Sequence, residues 1–106
     1  MNYDYIWRHI LAYTPDELTI SGAFVGWDNS PRRGKEGFIV SGYNSEKFKE
    51  YLTYKIKKTR HEYAQSDFMF MFAWNEWGEG AYLEPDEENG YQYLEALKKA
   101  IEIGNN

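Results

Sequence analysis

The sequence contains no cysteine and only two histidines. Without cysteine there is no disulfide framework, no thiol nucleophile and no thiolate metal site, which is compatible with a cytoplasmic protein. His9 and His61 lie far apart, and neither has a second ligand at metal spacing. We therefore predict that both histidines are structural, that the protein has no metal site, and that it needs no cofactor.

An excess of positive charge is also lacking, because the formal net charge is −5. Proteins that bind nucleic acids usually carry an excess of positive charge on the binding surface. The one dense basic stretch lies on a predicted helix between Lys55 and Arg60, and we interpret it as a solvated face. The charge pattern therefore predicts no nucleic-acid partner.

Long apolar runs are missing as well. No segment approaches the ~20 apolar residues of a transmembrane helix. The polar and aromatic start of the chain, residues 1–5, does not have the pattern of a signal peptide. We predict no direct membrane insertion, so any membrane association would come through a partner.

Aromatic residues, in contrast, are abundant at 19% of the 106 residues. A chain of this length forms one small domain that buries roughly two-thirds of its unfolded surface. The rings could fill that core, or several Trp and Tyr could line a ligand surface, since each combines an apolar face with a polar tip. Composition alone leaves both interpretations open.

Hydrophobic periodicity predicts helices that alternate with strands. The predicted helices cover residues 3–11, 45–60 and 90–103, and the predicted strands cover residues 18–27 and 67–74, with a brief extended piece at 38–40. Polar loops rich in turn residues follow the strands at 28–37 and 75–89. This order is that of two βα units of a parallel sheet, so the fold class is α/β.

The helix boundaries and faces follow from the same patterns. Pro15 is expected to end the first helix near Thr14, and Asn44 or Ser45 to cap the second. The expected inner face of the second helix is Phe48, Tyr51, Leu52, Lys55 and Ile56. The expected inner face of the last helix is Tyr91, Leu94, Leu97 or Lys98, and Ile101, with Gly104 placed to end it.

The second strand is an apolar run without alternation, residues 68–72, which predicts a strand covered on both faces. Two strands cannot by themselves form such a sheet. We therefore expect this chain to belong to a larger assembly or to complete itself by association.

The most informative motif follows that strand, where Glu76 and Glu79 stand three residues apart between Trp74 and Trp77. Loops at the ends of buried parallel strands carry the chemistry of α/β enzymes. Paired carboxylates beside indole rings favour sugar chemistry, in which acids move protons and flat faces hold a pyranose. The alternatives are two solvated loop acids and, for Trp74, a place in the core.

The loop after the first strand holds a second candidate group. Trp27, Asp28 and Asn29 come directly after the strand, and Arg32 and Arg33 could bind the phosphate or carboxylate of a nucleotide-sugar or lipid-linked donor. The alternative is a simple turn with solvated arginines, because Asp, Asn, Ser and Pro commonly form one.

An acidic stretch precedes the last helix, from Glu84 through Asp86 to Glu88. Its spacing does not match a calcium loop, and Pro85 constrains it. We predict that these acids cap and solvate the start of the last helix.

Four segments together resemble the C-terminal part of the WbsX-like proteins: residues 3–7 (YDYIW), 26–34 (GWDNSPRRG), 74–86 (WNEWGEGAYLEPD) and 90–96 (GYQYLEA). That family is described as glycosyltransferases of bacterial O-antigen, capsule and lipopolysaccharide synthesis. It is similar to the endo-α-mannosidase glycoside hydrolases, which share an Asn-Glu-Trp-x-Glu-Gly signature. The long motif from Trp74 to Asp86 is the specific part of the resemblance.

The resemblance implies a fold and a site. The fold would be the C-terminal βαβα portion of a (β/α)8 TIM-type barrel, so residues 1–106 would be a single partial domain. Glu76 would act as a base and Glu79 as a general acid. From their positions in the two loops, we predict that the substrate is bound by Trp27, Asp28, Asn29, Arg32, Arg33, Trp74, Asn75, Trp77 and Tyr82. Gly78 stands at the variable position of the signature, so substrate detail does not carry over.

Two function classes follow. The first is a carbohydrate-active enzyme of bacterial surface-polysaccharide biosynthesis whose partner is a glycan or a nucleotide- or lipid-linked sugar. In that case the isolated segment is expected to be inactive and to associate with itself or with the missing strands. The second is a glycan-binding or assembly module, which keeps the aromatic rings but needs no carboxylate chemistry.

Overall fold

A computed structural model describes residues 1–13, 20–62 and 69–105, with only the backbone at residues 31 and 32. The fold is mixed α/β, as the sequence predicts. The helices in these described ranges are α1 (Tyr3–Ala12), α2 (Ser30–Arg33), α3 (Ser45–Glu62) and α4 (Gln92–Gly104). The strands are β1 (Ser21–Phe24), β2 (Met69–Phe72), β3 (Asn75–Glu76) and β4 (Ala81–Tyr82).

Strands β1 and β2 form the predicted parallel pair, with Ser21 opposite Met69 and Phe24 opposite Phe72. A parallel pair needs a long crossover, which α3 supplies. The Ser21 and Thr59 hydroxyls lie 2.7 Å apart and are buried, so they fix the end of α3 against the start of β1. This pairing directs the carboxyl ends of both strands to the same edge of the sheet.

Helix α1 forms where predicted because Asn2 caps it. The Asn2 side chain accepts hydrogen bonds from the backbone N–H groups of Asp4 at 2.8 Å and Tyr5 at 3.3 Å. Tyr3 and Trp7 are fully buried one turn apart and make the aromatic centre of the core. The helix ends at Ala12, and the predicted stop at residues 14–16 lies outside the described residues.

Helix α3 also matches its prediction. Asn44 is its cap, because its side-chain oxygen accepts a hydrogen bond from the Lys47 backbone N–H at 2.8 Å. Phe48, Leu52 and Lys55 are buried, and Tyr51 and Ile56 are half-buried. The buried stripe continues one turn further to Thr59, and the helix ends at Glu62.

The predicted inner face of α4 is wrong in part. The buried positions are the small residues Ala96, Ala100 and Gly104, whereas Tyr91 is 65% exposed and Ile101 is also exposed. Leu94 and Leu97 pack beside them against the core as predicted. Small residues allow α4 to lie close to α3, and an apolar pattern that counts only large side chains misses such a stripe.

Gly104 has a different role from the predicted one. It is the last residue of α4 and is buried, and Asn105 follows it as the cap residue. A Cβ atom at position 104 would lie 2.6 Å from Ile56 Cγ2. The absence of a side chain therefore permits the close helix contact, and no left-handed turn is involved.

The prediction that β2 is covered on both faces is also wrong for the described part of the chain. Met69 and Met71 pack against the core, but Phe70 is 69% exposed and Phe72 is exposed too. Among the described residues, the helices pack against Ala23, Met69 and Met71 on one face of the parallel pair. On the opposite face Phe24 contacts Tyr3 and Trp7 of α1, whereas Phe70 and Phe72 stay open to solvent.

The two loops after the strands contain more regular structure than predicted. The first, 28–37, forms α2 and a 3₁₀ turn at Gly34–Glu36. The second, 75–89, holds the antiparallel hairpin of β3 and β4 around a 3₁₀ turn at Trp77–Glu79. Short polar residues close such turns by bonding to nearby backbone groups, so these sequences are not irregular.

No helix in the described ranges has both the length and the apolar character that crossing a membrane requires.

Candidate functional site

The two loops that follow the parallel strands meet at the carboxyl edge of the sheet. The Asp28 backbone N–H donates to the Glu79 carbonyl oxygen at 2.8 Å. Gly80 packs so closely that a Cβ atom there would lie 2.7 Å from the Asp28 carbonyl oxygen. The structure thus brings together two groups of candidate residues that are about fifty positions apart in the sequence.

Glu76 and Glu79 are carried by one small hairpin. Glu76 ends β3 opposite Ala81, and Glu79 ends the 3₁₀ turn that follows. Gly80 then reverses the chain in a left-handed conformation, with φ of 61°. Glu76 is exposed and Glu79 is half-buried at the junction with the β1 loop.

The backbone of Trp74 holds together the open end of this hairpin. Its carbonyl oxygen accepts hydrogen bonds from the N–H groups of Leu83 at 3.1 Å and Glu84 at 3.2 Å. The indole itself is 52% exposed. Trp74 is therefore not a core residue, and its ring faces solvent at the carboxyl edge of the sheet.

Trp77 is held in a defined orientation beside the glutamates. Its ring stacks on Tyr82 with centroids 3.8 Å apart and planes 15° from parallel. Its indole N–H donates to the Glu84 carboxylate at 2.9 Å, and the side chain remains 46% exposed. Asn75 pairs with Tyr82 across the hairpin, so Asn75, Trp77 and Tyr82 share one short element.

The loop after β1 uses its polar side chains locally. The Asp28 carboxylate accepts hydrogen bonds from the Ser30 N–H at 2.9 Å and the Ser30 hydroxyl at 2.6 Å. The Asn29 side chain accepts one from the Phe38 N–H at 2.5 Å. The turn-forming interpretation is thus confirmed for Asp28 and Asn29, and their role in binding a sugar stays a prediction.

The other candidates of this loop have different positions. The Trp27 ring is half-buried and stacks on Phe72 with centroids 5.8 Å apart, so it covers the end of β2. Arg33 is exposed and lies 4.0 Å from the Glu36 carboxylate in a solvent-screened pair. The Arg32 side chain lies outside the described part of the chain.

The acidic stretch does not cap α4, which corrects the prediction. Tyr91 is the residue before the helix and provides no side-chain cap. Asp86 instead closes the preceding turn, because it accepts hydrogen bonds from the Asn89 N–H and the Tyr82 hydroxyl, each at 2.6 Å. These bonds hold the pKa of Asp86 below its usual value of 3.8.

Asp86 should make the hairpin region sensitive to acid. Since its pKa is lowered in the folded state, its stabilisation is present above pH 3.8 and is lost as the pH falls through the folded-state value. We expect Asp86→Asn to lower the thermal midpoint at neutral pH, with the difference from wild type shrinking in acid. Calorimetry across this pH range checks it, with Glu87→Gln as the control. A constant difference at every pH would contradict the assignment.

Within the described ranges, no three His, Asp or Glu side chains gather closely enough to hold a metal ion.

A cavity beside the hairpin was not anticipated from the sequence. The residues that line it include Tyr43, Tyr82, Tyr93, Asn44, Glu88 and Gln92. These residues come from the hairpin, the turn before α4, the first turn of α4 and the segment before α3. Because they share no sequence motif, only the packing of the helices on the hairpin reveals them.

Comparison with known proteins decides the family. The family model described as glycosyltransferase WbsX matches residues 1–97. The chain belongs to the WbsX glycosyltransferase family. The resemblance predicted from the sequence motifs is thereby confirmed, and both the hairpin and the β1 loop lie inside the matched WbsX region.

Two curated relatives also match most of this chain. These are uncharacterized WxcX proteins from two strains of Xanthomonas campestris pv. campestris, each 37% identical to this chain over 90 residues. The aligned stretch is 81% of this chain but only 12% of WxcX. This WbsX-family chain therefore spans a small part of the length of these relatives. No solved structure matches it.

Proposed function

We propose that this chain carries the paired-glutamate part of a glycosyl-transfer or glycosidic-bond site that acts in bacterial surface-polysaccharide biosynthesis. The observation that supports it most is the hydrogen bond between the Asp28 N–H and the Glu79 carbonyl oxygen. It joins the two loops that follow the parallel strands. An α/β enzyme gathers its reacting groups at this edge.

The chemistry assigned to the two carboxylates follows the similarity to endo-α-mannosidases. Glu76 removes the proton from the 2-hydroxyl of the sugar, and that oxygen attacks the anomeric carbon. Glu79 donates its proton to the oxygen of the bond that breaks. Both groups lie on one hairpin, which favours joint action on a single sugar ring.

The aromatic residues have the exposure that sugar binding needs. The side chains of Trp74 and Trp77 are 52% and 46% exposed, and the Trp27 ring stacks on Phe72. Flat aromatic faces suit the apolar faces of pyranose rings. Polar contacts to the sugar are assigned to Asp28, Asn29, Asn75 and Tyr82, and contacts to a donor phosphate to Arg32 and Arg33.

The wider architecture is proposed to be a (β/α)8 barrel to which this chain contributes two βα units. The support is the parallel order of β1 and β2, each followed by helical structure, and the open apolar face with Phe70 at 69% exposure. In a barrel, that face would pack inside the barrel. In the chain alone, the face would stay exposed and the edges of the sheet could pair with those of another molecule.

Self-association is the expected consequence for the isolated chain. We expect light scattering to give an average mass that rises with protein concentration, because the exposed face and strand edges pair between molecules. Phe70→Lys places a charge on the open face and should reduce the effect, whereas Tyr54→Lys on the exposed side of α3 should not. A strictly monomeric chain at high concentration would contradict this proposal.

A second candidate function is a glycan-binding module without catalysis. The exposed rings of Trp74 and Trp77 favour it, since stacking on indole needs no acid or base. Under this alternative the chain binds glycans, and no bond is formed or broken.

The decisive experiment incubates a full-length family member that contains this segment with lipid-linked and nucleotide-linked sugar donors, and follows products by mass spectrometry. New oligosaccharide or released sugar supports the enzyme. Binding of these donors without product supports the module. We expect the 106-residue chain alone to give no turnover, and robust turnover by it would overturn the proposal that the rest of the barrel completes the site.

A further inference from the structure

The cavity behind the hairpin has a volume of about 240 Å³. It lies between the hairpin and the first turn of α4, and Gly80 and Tyr82 form its wall on the hairpin side. Gly80 is the residue that packs against Asp28 at the loop junction. The cavity is therefore adjacent to the glutamates but contains neither of them.

Two of its tyrosine walls are held in place by packing. The Tyr43 ring lies against Gly26 so closely that a Cβ atom there would be 2.9 Å from the ring, and it contacts Tyr3 with centroids 5.8 Å apart. The Tyr93 ring contacts buried Phe48 at the same centroid distance. The rings are thus fixed before any ligand arrives, which reduces the entropy that binding costs.

The polar groups of the cavity are hydrogen-bonding and carry no positive charge. Phenol hydroxyls and carboxamides both donate and accept, and Glu88 accepts. None of the described residues that line the cavity is lysine or arginine. Burial raises the pKa of Tyr93 and Tyr43, and the nearby Asp86 and Glu88 carboxylates raise it further, so both hydroxyls remain protonated donors.

These properties select the ligand class. A diphosphate or nucleotide is usually held by cationic partners and would meet the Glu88 carboxylate here instead. The volume also lies below the 300–1,000 Å³ or so that is usual for drug-sized ligands, so a single small ring fits better than a nucleotide sugar. Aromatic walls, together with several groups that can form hydrogen bonds with sugar hydroxyls, suit a neutral sugar.

We propose that this cavity binds one uncharged pyranose unit, held by the hydroxyls of Tyr43 and Tyr93 together with Glu88 and Gln92. This site goes beyond the proposed function, because binding here requires neither Glu76 nor Glu79. A glycan whose terminal or internal unit occupies the cavity would be anchored beside the hairpin.

An NMR titration of the 106-residue chain tests the proposal. The probes are methyl α-D-mannopyranoside and methyl α-D-glucopyranoside as uncharged rings, and uridine diphosphate as the anionic comparison. We expect at least one glycoside to shift the side-chain amide signals of Gln92 and the backbone signals of Tyr43 and Tyr93. Uridine diphosphate should leave these signals unchanged.

A pair of tyrosine variants on the same turn provides the matched comparison. Tyr93→Phe removes one hydroxyl and keeps the ring on Phe48, so it should raise the Kd about three- to tenfold, the usual effect of one lost hydrogen bond. Tyr91→Phe makes the same change at a residue that is 65% exposed and lies outside the cavity, and it should leave the Kd unchanged. Gln92→Ala, at an exposed position, should weaken binding as Tyr93→Phe does.

Three outcomes would overturn the proposal. They are no shift of the cavity signals at saturating glycoside, shifts caused by uridine diphosphate at these residues, and equal affinities for Tyr93→Phe, Gln92→Ala and wild type. Each would remove the neutral-sugar site while leaving the role of the glutamates to be decided by turnover. Loss of turnover in the glutamate variants with cavity binding intact would likewise separate the two sites.

Discussion

Glu79→Gln should lower the glycosyl turnover of a full-length family member by about 10²- to 10⁴-fold, the usual contribution of a positioned general acid. Glutamine keeps the size of the side chain and its hydrogen-bonding geometry but has no proton to donate to the leaving oxygen. The backbone bond from Asp28 to Glu79 does not involve the side chain, so the loop junction stays intact. Turnover is measured as product formed per unit time under saturating donor.

Two further variants serve as comparisons for the turnover of Glu79→Gln. Glu76→Gln should lose turnover to a similar extent, because the base and the acid act on one sugar ring. Glu87→Gln makes the same chemical change at an exposed acid of the following turn and should retain wild-type turnover. Glycan binding should survive in Glu79→Gln. Full activity in Glu79→Gln would sink the paired-glutamate proposal, even where the protein still binds sugar.

The second large effect concerns the glycine at the loop junction. Gly80→Ala should destabilise the fold by two separate mechanisms. The left-handed φ of 61° costs a residue with a Cβ about 1–2 kcal/mol. The new Cβ would also lie 2.7 Å from the Asp28 carbonyl oxygen and 2.8 Å from its nitrogen. Because backbone cannot move aside as a side chain can, this overpacking adds about 1–3 kcal/mol.

Gly90 offers a matched control within the same chain. Its φ of 56° is nearly the same, but a Cβ atom there would meet nothing within 4 Å. Gly90→Ala should therefore show only the conformational cost, and the difference between the two variants isolates the contact with Asp28. Urea unfolding of both variants measures it. Equal losses of stability would mean that the loops do not pack together at Asp28 and Gly80.

The sequence by itself determined the order of the elements and the family. Helices α1 and α3 could be predicted because Asn2 and Asn44 are local caps, and because an apolar stripe at helical spacing depends on neighbours only a few residues away. The motifs around Trp27 and Glu76 predicted the family to which the chain belongs. They also marked the two loops that hold the candidate residues.

Local signals misled at the buried face of α4 and at Asp86. The buried stripe of α4 consists of Ala96, Ala100 and Gly104, and Ile56 of α3 lies directly against Gly104. Asp86 carries the charge that a helix cap prefers, yet Tyr82 and Asn89 draw it into the preceding turn. Ile56 lies on another helix, so the local pattern of α4 could not reveal that contact. The partners of Asp86 are close in sequence, and there the local turn prevailed over the helix cap.

Only the tertiary structure decided which residues meet at the edge of the sheet. Parallel pairing of β1 with β2 sets both following loops side by side, and the Asp28–Glu79 bond with Gly80 closes the gap between them. The same packing exposes Trp74. From the sequence alone, a place in the core was equally consistent, because Trp74 follows an apolar run. The packing also assembles the tyrosine cavity from four separate segments. A sequence specifies local conformation through short-range interactions, whereas a site formed by distant segments exists only once long-range contacts are made.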